Sequence, residues 1–174
     1  MESDKFKNIK LLLLDVDGVL TDGSIIYHDS GEQTKIFNSK DGLGILLLIR
    51  AGIQVGIVTA RKSPALKHRC DNLGIELLFE GVFNKASTLK QIAGKTGISP
   101  EQTAFMGDDL PDIPMFRSVG LGIAVSDAHE RVLKEADHIT RAKGGAGAVR
   151  EVCDTILKSK GFWDRVIEEL IPQL

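Results

Sequence analysis

Residues 9–14 are apolar without interruption until the chain passes, in one step, into Asp15-Val16-Asp17-Gly18, and similar steps recur along the sequence. A short apolar run closed by turn residues reads as a strand buried on both faces. Residues 9–14, 54–59, 77–79, 103–106 and 120–125 fit that description. Helix-like segments lie between them: 41–50 ended by Gly52, a stretch opened by Ser63-Pro64 and closed by Gly74, then 85–95, 112–117 and 126–135. Proline just inside a helix and glycine just past its end are the expected asymmetry. Ser99-Pro100-Glu101-Gln102 carries the same start signal, with Gln where a capping box needs it. A tail over 147–171 is helical and breaks at Lys160-Gly161. One pair of segments departs from the alternation. Residues 24–27 and 33–37, joined by His28-Asp29-Ser30-Gly31-Glu32, predict a β-hairpin. Alternating strands and helices predict an α/β fold, a Rossmann-like doubly wound parallel sheet. It occupies a single domain over 1–174, with a hairpin insertion at about 24–38 and a helical tail at about 147–174.

Composition narrows the class without naming a chemistry. At 174 residues, 43% hydrophobic and 26% charged, the chain is an ordinary soluble domain long enough to bury a core. A net charge of -2 and no block of Lys and Arg give no footprint for nucleic acid or a membrane surface. Cys70 and Cys153 are too few and too far apart for a disulfide framework or a zinc site, and read as buried thiols. His28, His68, His129 and His138 show no ligand spacing and read as surface residues. The first ten residues lack the apolar core of a secretory signal, and no apolar run approaches membrane-spanning length. The expected location is the cytoplasm.

The chemistry collects at the ends of predicted strands. Asp15 and Asp17 close the first strand, and residues i and i+2 of an extended segment share a face unless the chain turns between them. Two carboxylates in one pocket need a cation or a shared proton. The plain alternative is an Asp- and Gly-rich turn. Thr59 ends the second strand, Lys85 opens the helix after the third, and Asp108 with Asp109 ends the fourth. Doubly wound sheets bind ligands outside the carboxyl ends of their strands, so these distant residues converge on one site. Taken singly, each has a bland reading as a strand-end hydroxyl, a solvated charge or a turn; taken together, they form a site. Oxygen ligands without His or Cys suit Mg²⁺, and an ammonium with a hydroxyl suits a phosphoryl group. Such a set allows one aspartate to attack phosphorus while the other moves protons.

Asp15-Val16-Asp17-Gly18-Val19-Leu20-Thr21-Asp22, Thr59, Lys85 and Gly107-Asp108-Asp109-Leu110-Pro111-Asp112 resemble, in order, the four motifs of the haloacid dehalogenase-like phosphatase superfamily. The resemblance runs over 9–151 and is strongest to the 3-deoxy-D-manno-octulosonate 8-phosphate phosphatase family, which serves lipopolysaccharide precursor synthesis. It implies Asp15 as nucleophile and Asp17 as general acid and base. It implies Mg²⁺ on Asp15, the Asp17 carbonyl and Asp108, with Asp109 and Asp112 orienting the metal shell. Thr59 and Lys85 would grip the transferring phosphoryl group. Neither gap between motifs is long enough for the cap domain of many superfamily members, so the resemblance implies closure by neighbouring subunits in a homotetramer built through the hairpin. Arg61 and Arg69 are candidates for the sugar carboxylate, Arg69 being equally readable as a solvated helix residue. Relatives acting on nine-carbon sialic-type sugar phosphates tend to carry an acid at position 61, so Arg61 favours the octulosonate. Ala60 stands where Gly is usual. Gly144 and Gly145, within Lys143-Gly144-Gly145-Ala146-Gly147, resemble a segment of the family able to approach substrate and reach a neighbouring site, or else form a loop before a helix. Other classes are a non-catalytic tetramerising scaffold beside a nucleotidyltransferase and a response-regulator-like phosphoacceptor. Intact charges at the site weigh against the first, and Asp17 against the second.

Overall fold

Residues 2–171 are described in a computed structural model of the chain. It begins with a helix, α1 (Glu2–Asn8), that the polar N-terminus did not suggest. Its anchor is Phe6, buried, with its ring edge-on to His138 at 5.1 Å. His138 is thereby half-buried, unlike His28, His68 and His129, which are exposed as expected. β1 (Leu11–Leu14) follows, and none of its four leucines has measurable exposure. The hairpin strands β2 (Ile26–Tyr27) and β3 (Gln33–Thr34) pair antiparallel as a separate ribbon, shorter than the sequence suggests. Helix α2 (Ser39–Arg50) starts two residues early because Asn38 Oδ1 accepts the Lys40 amide at 2.8 Å and caps it.

β4 (Gln54–Thr59) has the predicted limits, and so does α3 (Pro64–Leu73), which ends on Gly74 at φ +67°. β5 (Leu77–Glu80) leads to a 3₁₀ turn, Lys85–Thr88, and only then to α4 (Leu89–Thr96), so the single helix expected over 85–95 is split. The start signal at Ser99 yields just one 3₁₀ turn, Pro100–Gln102, without a side-chain cap, because β6 (Thr103–Gly107) begins at once. A second 3₁₀ turn, Leu110–Asp112, precedes α5 (Ile113–Phe116); then come β7 (Leu121–Ala124), α6 (Glu130–Glu135) and β8 (His138–Ile139). The pair α7 (Ala148–Ser159) and α8 (Trp163–Leu170) breaks at Lys160-Gly161 as read from the sequence.

Six parallel strands form the sheet in the order β5-β4-β1-β6-β7-β8. β8, too short to leave a periodic signal, adds an unforeseen edge. From β1 the chain first builds outward to β4 and β5, then returns to β6 on the other side. The strand order therefore reverses between β1 and β6, which places the ligand crevice at the carboxyl ends of those two strands.

Candidate active site

At the end of β1 the ladder runs one residue further, Asp15 N–H donating to Met106 O at 3.0 Å, and then the chain turns sharply. The Val16 carbonyl accepts from the amides of Val19, Leu20 and Thr21, winding 16–21 into a tight coil. The sequence reading left open a turn between the two aspartates, and that turn exists. Asp15 points to Lys85, whose Nζ is 2.8 Å from Oδ2, whereas Asp17 points to Lys35 and to Arg61, whose Nε is 3.6 Å from Asp17 Oδ2. The two carboxylates thus face different cations.

Gly18 takes φ +90°, and a Cβ there would sit 2.1 Å from Asp108 Oδ2. A side chain at position 18 would evict the aspartate arriving from β6. Gly107 does the same service one strand away: a Cβ there would lie 2.4 Å from Asp112 Oδ2. With that space open, Asp112 folds back and accepts the amides of Asp108 at 2.9 Å and Asp109 at 3.3 Å through Oδ2, while Oδ1 takes Lys85 Nζ at 2.5 Å. Asp109 is exposed and caps its own turn through Leu110 N–H at 2.8 Å, so it stands outside the carboxylate group.

Asp15, Asp108 and Asp112 bring carboxylate oxygens within 4.8 Å of one another. Lys85 is the ammonium facing this cluster, and its side chain is almost fully buried between Asp15 and Asp112. Burial alone would push Lys85 down, but the two aspartates overcome it and hold the ammonium above its usual range. Burial pushes Asp15 up to about 6, opposed by Lys85 and reinforced by Asp112. Asp108 rises further, to about 8, through burial and then through the charges of Asp15 and Asp112. Asp108 Oδ1 is also buried with no hydrogen-bond partner among the described residues. An oxygen-only cluster with more negative charge than Lys85 can balance, and with one oriented oxygen left unpaired, fits a hard divalent cation such as Mg²⁺.

These groups line a cavity of about 340 Å³ together with Asp17, Thr59 and Arg61. Thr59 is buried, with Oγ1 3.4 Å from the Arg61 amide. Arg61 is half exposed and reaches the hairpin through Tyr27 Oη at 3.5 Å. Arg69 does not line this cavity. It lies 5.6 Å over the Phe37 ring, donates to Asn38 O at 3.2 Å, and leaves a buried Nε unpartnered. Gly144 and Gly145 are also outside it. A Cβ on Gly144 would meet Gly18 O at 1.8 Å, and Gly145 N–H donates to Val19 O at 2.9 Å, so this segment is pressed onto the nucleophile coil of its own chain. Within its own chain this segment makes a local contact that Cβ-free residues alone can make. Lys35 went unnoticed in the sequence, where it is a lysine in a polar hairpin. Cys70 and Cys153 are buried free thiols, as expected, with burial pushing both above the usual range.

Comparison with known proteins gives matches over nearly the whole chain. Residues 75–152 match the model of the haloacid dehalogenase-like hydrolases. The chain is 47% identical over 160 residues to the 3-deoxy-D-manno-octulosonate 8-phosphate phosphatase of Escherichia coli K12, covering 92% of this chain and 85% of that protein. Its fold is similar to the crystal structure of the Yersinia pestis phosphatase of the same name, with TM-score 0.92, 44% identity and 93% and 88% of the two chains covered. It is equally similar to the Moraxella catarrhalis phosphatase, solved with magnesium ion, phosphate ion and a KDO molecule, with TM-score 0.94, 41% identity and 97% of each chain covered.

Proposed function

This chain belongs to the 3-deoxy-D-manno-octulosonate 8-phosphate phosphatases, a family of haloacid dehalogenase-like hydrolases, and from that membership we propose how its own residues divide the work. It is a magnesium-dependent phosphomonoester hydrolase that releases phosphate from 3-deoxy-D-manno-octulosonate 8-phosphate in lipopolysaccharide precursor synthesis. The observation that carries the assignment of roles is the meeting of Asp15, Lys85, Asp108 and Asp112 at the β1/β6 crevice.

Asp15 attacks phosphorus, the bond to the sugar oxygen breaks, and the electron pair leaves with that oxygen, which takes a proton from Asp17. Water then loses a proton to Asp17 and attacks the aspartyl phosphate, returning Asp15 as a carboxylate. Lys85 and Thr59 hold the phosphoryl oxygens. Asp15, the Asp17 carbonyl and Asp108 would hold Mg²⁺, which neutralises charge on the phosphoryl group when bound. Asp112 orients this set instead of joining it, because both its oxygens are already committed to Lys85 and to the amides of Asp108 and Asp109. Asp109 fixes the turn that carries them.

Arg61 at the mouth supplies the cation for the sugar carboxylate, while Arg69 is held under Phe37 and Asn38 outside the cavity. Gly144 and Gly145 keep the nucleophile coil in place from behind. A panel of acidic sugar phosphates compared by kcat/KM tests the reading. The octulosonate 8-phosphate is expected to lead nine-carbon sialic-type phosphates by about tenfold or more, the size of a discrimination between close analogues, and EDTA is expected to stop phosphate release. Absent release would leave the scaffold reading, and release that survives EDTA would overturn the magnesium-dependent mechanism.

The described helices include none long and apolar enough to cross a membrane, and cytoplasmic action as a homotetramer is part of this proposal. Its support is the outward apolar face of the hairpin, where Ile26 and Ile36 are exposed. Sedimentation velocity is expected to give a mass near four chains, and Ile26→Glu combined with Ile36→Glu a smaller species. An unchanged mass in that variant would move the interface elsewhere.

A further inference from the structure

Lysine is almost never buried without a partner, yet the Lys35 side chain is 3% exposed while the adjacent Ile36 is 66% exposed. Extended backbone puts these neighbours on opposite faces. The usual pattern is inverted here, with the ammonium turned inward and the isoleucine outward. What receives the ammonium is Asp17, whose Oδ1 accepts from Lys35 Nζ. The other oxygen, Oδ2, faces Arg61 Nε at 3.6 Å, and Arg61 is half exposed where Lys35 is enclosed. Of the two cations beside Asp17, Lys35 is therefore the fixed one. It comes from the residue directly after β3, in the inserted hairpin, whereas Asp17 comes from the coil after β1.

We infer that Lys35 is a positioning residue for Asp17: the hairpin lysine holds Oδ1 so that Oδ2 is presented to the leaving oxygen of the substrate. This rests on the proton-donor role given to Asp17 above. In the step it serves, the Asp17 proton passes to the departing sugar oxygen as the phosphorus–oxygen bond breaks, and the carboxylate left behind remains paired with Lys35. The hairpin then does more than present an outer surface, since it reaches into the chemistry of its own chain.

The leaving group separates this role from a structural one. A sugar alkoxide needs a proton as it departs, whereas p-nitrophenolate is weakly basic and leaves without one. kcat/KM reports events up to that departure and excludes the later hydrolysis. Lys35→Met is expected to lower kcat/KM for the octulosonate 8-phosphate about 30-fold or more, a fraction of the 10²–10⁴ typical of general acid catalysis. With p-nitrophenyl phosphate the loss is expected to stay under about threefold. In an Asp17→Asn background, Lys35→Met is expected to add nothing, because its route is already closed. Equal losses on both substrates, or losses that multiply with Asp17→Asn, would overturn the inference. Lys35→Arg, which keeps the cation, is expected to retain the sugar phosphate activity to within about tenfold; if Lys35→Met does not reach the wild-type melting profile, Lys35→Gln carries the same two-substrate comparison, and equal losses count against Lys35 there too. A wild-type enzyme inactive on both substrates would instead sink the phosphatase reading, and the inference with it.

Discussion

Asp15→Asn is expected to lose hydrolysis of the octulosonate phosphate by about 10⁴-fold or more, in line with removal of a single covalent nucleophile elsewhere. The amide keeps the shape of the carboxylate, and Lys85 keeps Asp112 as a partner at 2.5 Å, so the fold should survive the change. What disappears is the negative oxygen that attacks phosphorus. Burial lifts the Asp15 carboxyl only to about 6, so at neutral pH the wild-type group is already ionised and ready. Rapid-quench mass spectrometry gives the direct check: a phosphoryl adduct on the peptide containing Asp15 in the wild type, and none in Asp15→Asn. Asp17→Asn makes the necessary partner measurement, because a large fall in turnover marks an enzyme that needs this acid and base, whereas hydrolysis at the parent rate would mark a phosphoacceptor. If Asp15→Asn keeps more than about a tenth of the activity, water is attacking phosphorus directly and the covalent route fails.

The parts of this site that the sequence reveals are those in which one residue type does one job at a strand end. Asp15, Thr59, Lys85 and Asp108 all sit beyond buried apolar runs, and the parallel order of β4, β1 and β6 is sufficient to bring them together. The glycines are legible too, once paired with their causes: Gly18 and Gly107 stand beside aspartates because neighbouring carboxylates need the space of a Cβ. Less legible is anything decided by a tertiary contact of low sequence signal. Helix α1 rests on one buried ring, Phe6, and β8 on two residues at a sheet edge. The start signal at Ser99 failed because strand β6 claims the chain after a single turn. Lys35 defeats pattern reading altogether, since hydrophobic alternation would have sent Ile36 inward and the lysine to solvent. Arg69, a candidate for the sugar carboxylate equally readable as a solvated helix residue, is placed by neither reading: the helix carries it under Phe37 and Asn38.

Asp108→Asn is expected to split function from stability. Magnesium-dependent hydrolysis should fall about 10³-fold or more, since the ion supplies several kcal/mol of charge stabilisation and loses one of its carboxylates. The metal-free protein should, however, become more stable at alkaline pH. In the wild type the folded Asp108 carboxyl titrates at about 8 against 3.8 for an ordinary aspartate, so the folded state holds a proton that the unfolded chain has released. That stabilisation is complete below about pH 4 and is lost as pH rises through about 8; Asp15, raised to about 6, adds a loss of the same sign at lower pH. In chelator, the wild-type melting temperature is therefore expected to fall between pH 5 and 9. A neutral amide at position 108 cannot repel Asp15 and Asp112, so Asp108→Asn should show a flatter profile and melt higher at pH 8.5. A gain of about 1–2 kcal/mol, the lower part of the range for relieving a buried charge, corresponds to roughly 2–8 °C in a chain of this size. Added Mg²⁺ should raise the melting temperature of the wild type, more at pH 8.5 than at pH 6, because the ion competes with a proton for Asp108. The same addition should leave Asp108→Asn nearly unmoved. If the variant instead melts lower than the wild type in chelator at pH 8.5, the unpaired Oδ1 of Asp108 is not a repelled anion awaiting a cation, and the ion must be held by other atoms.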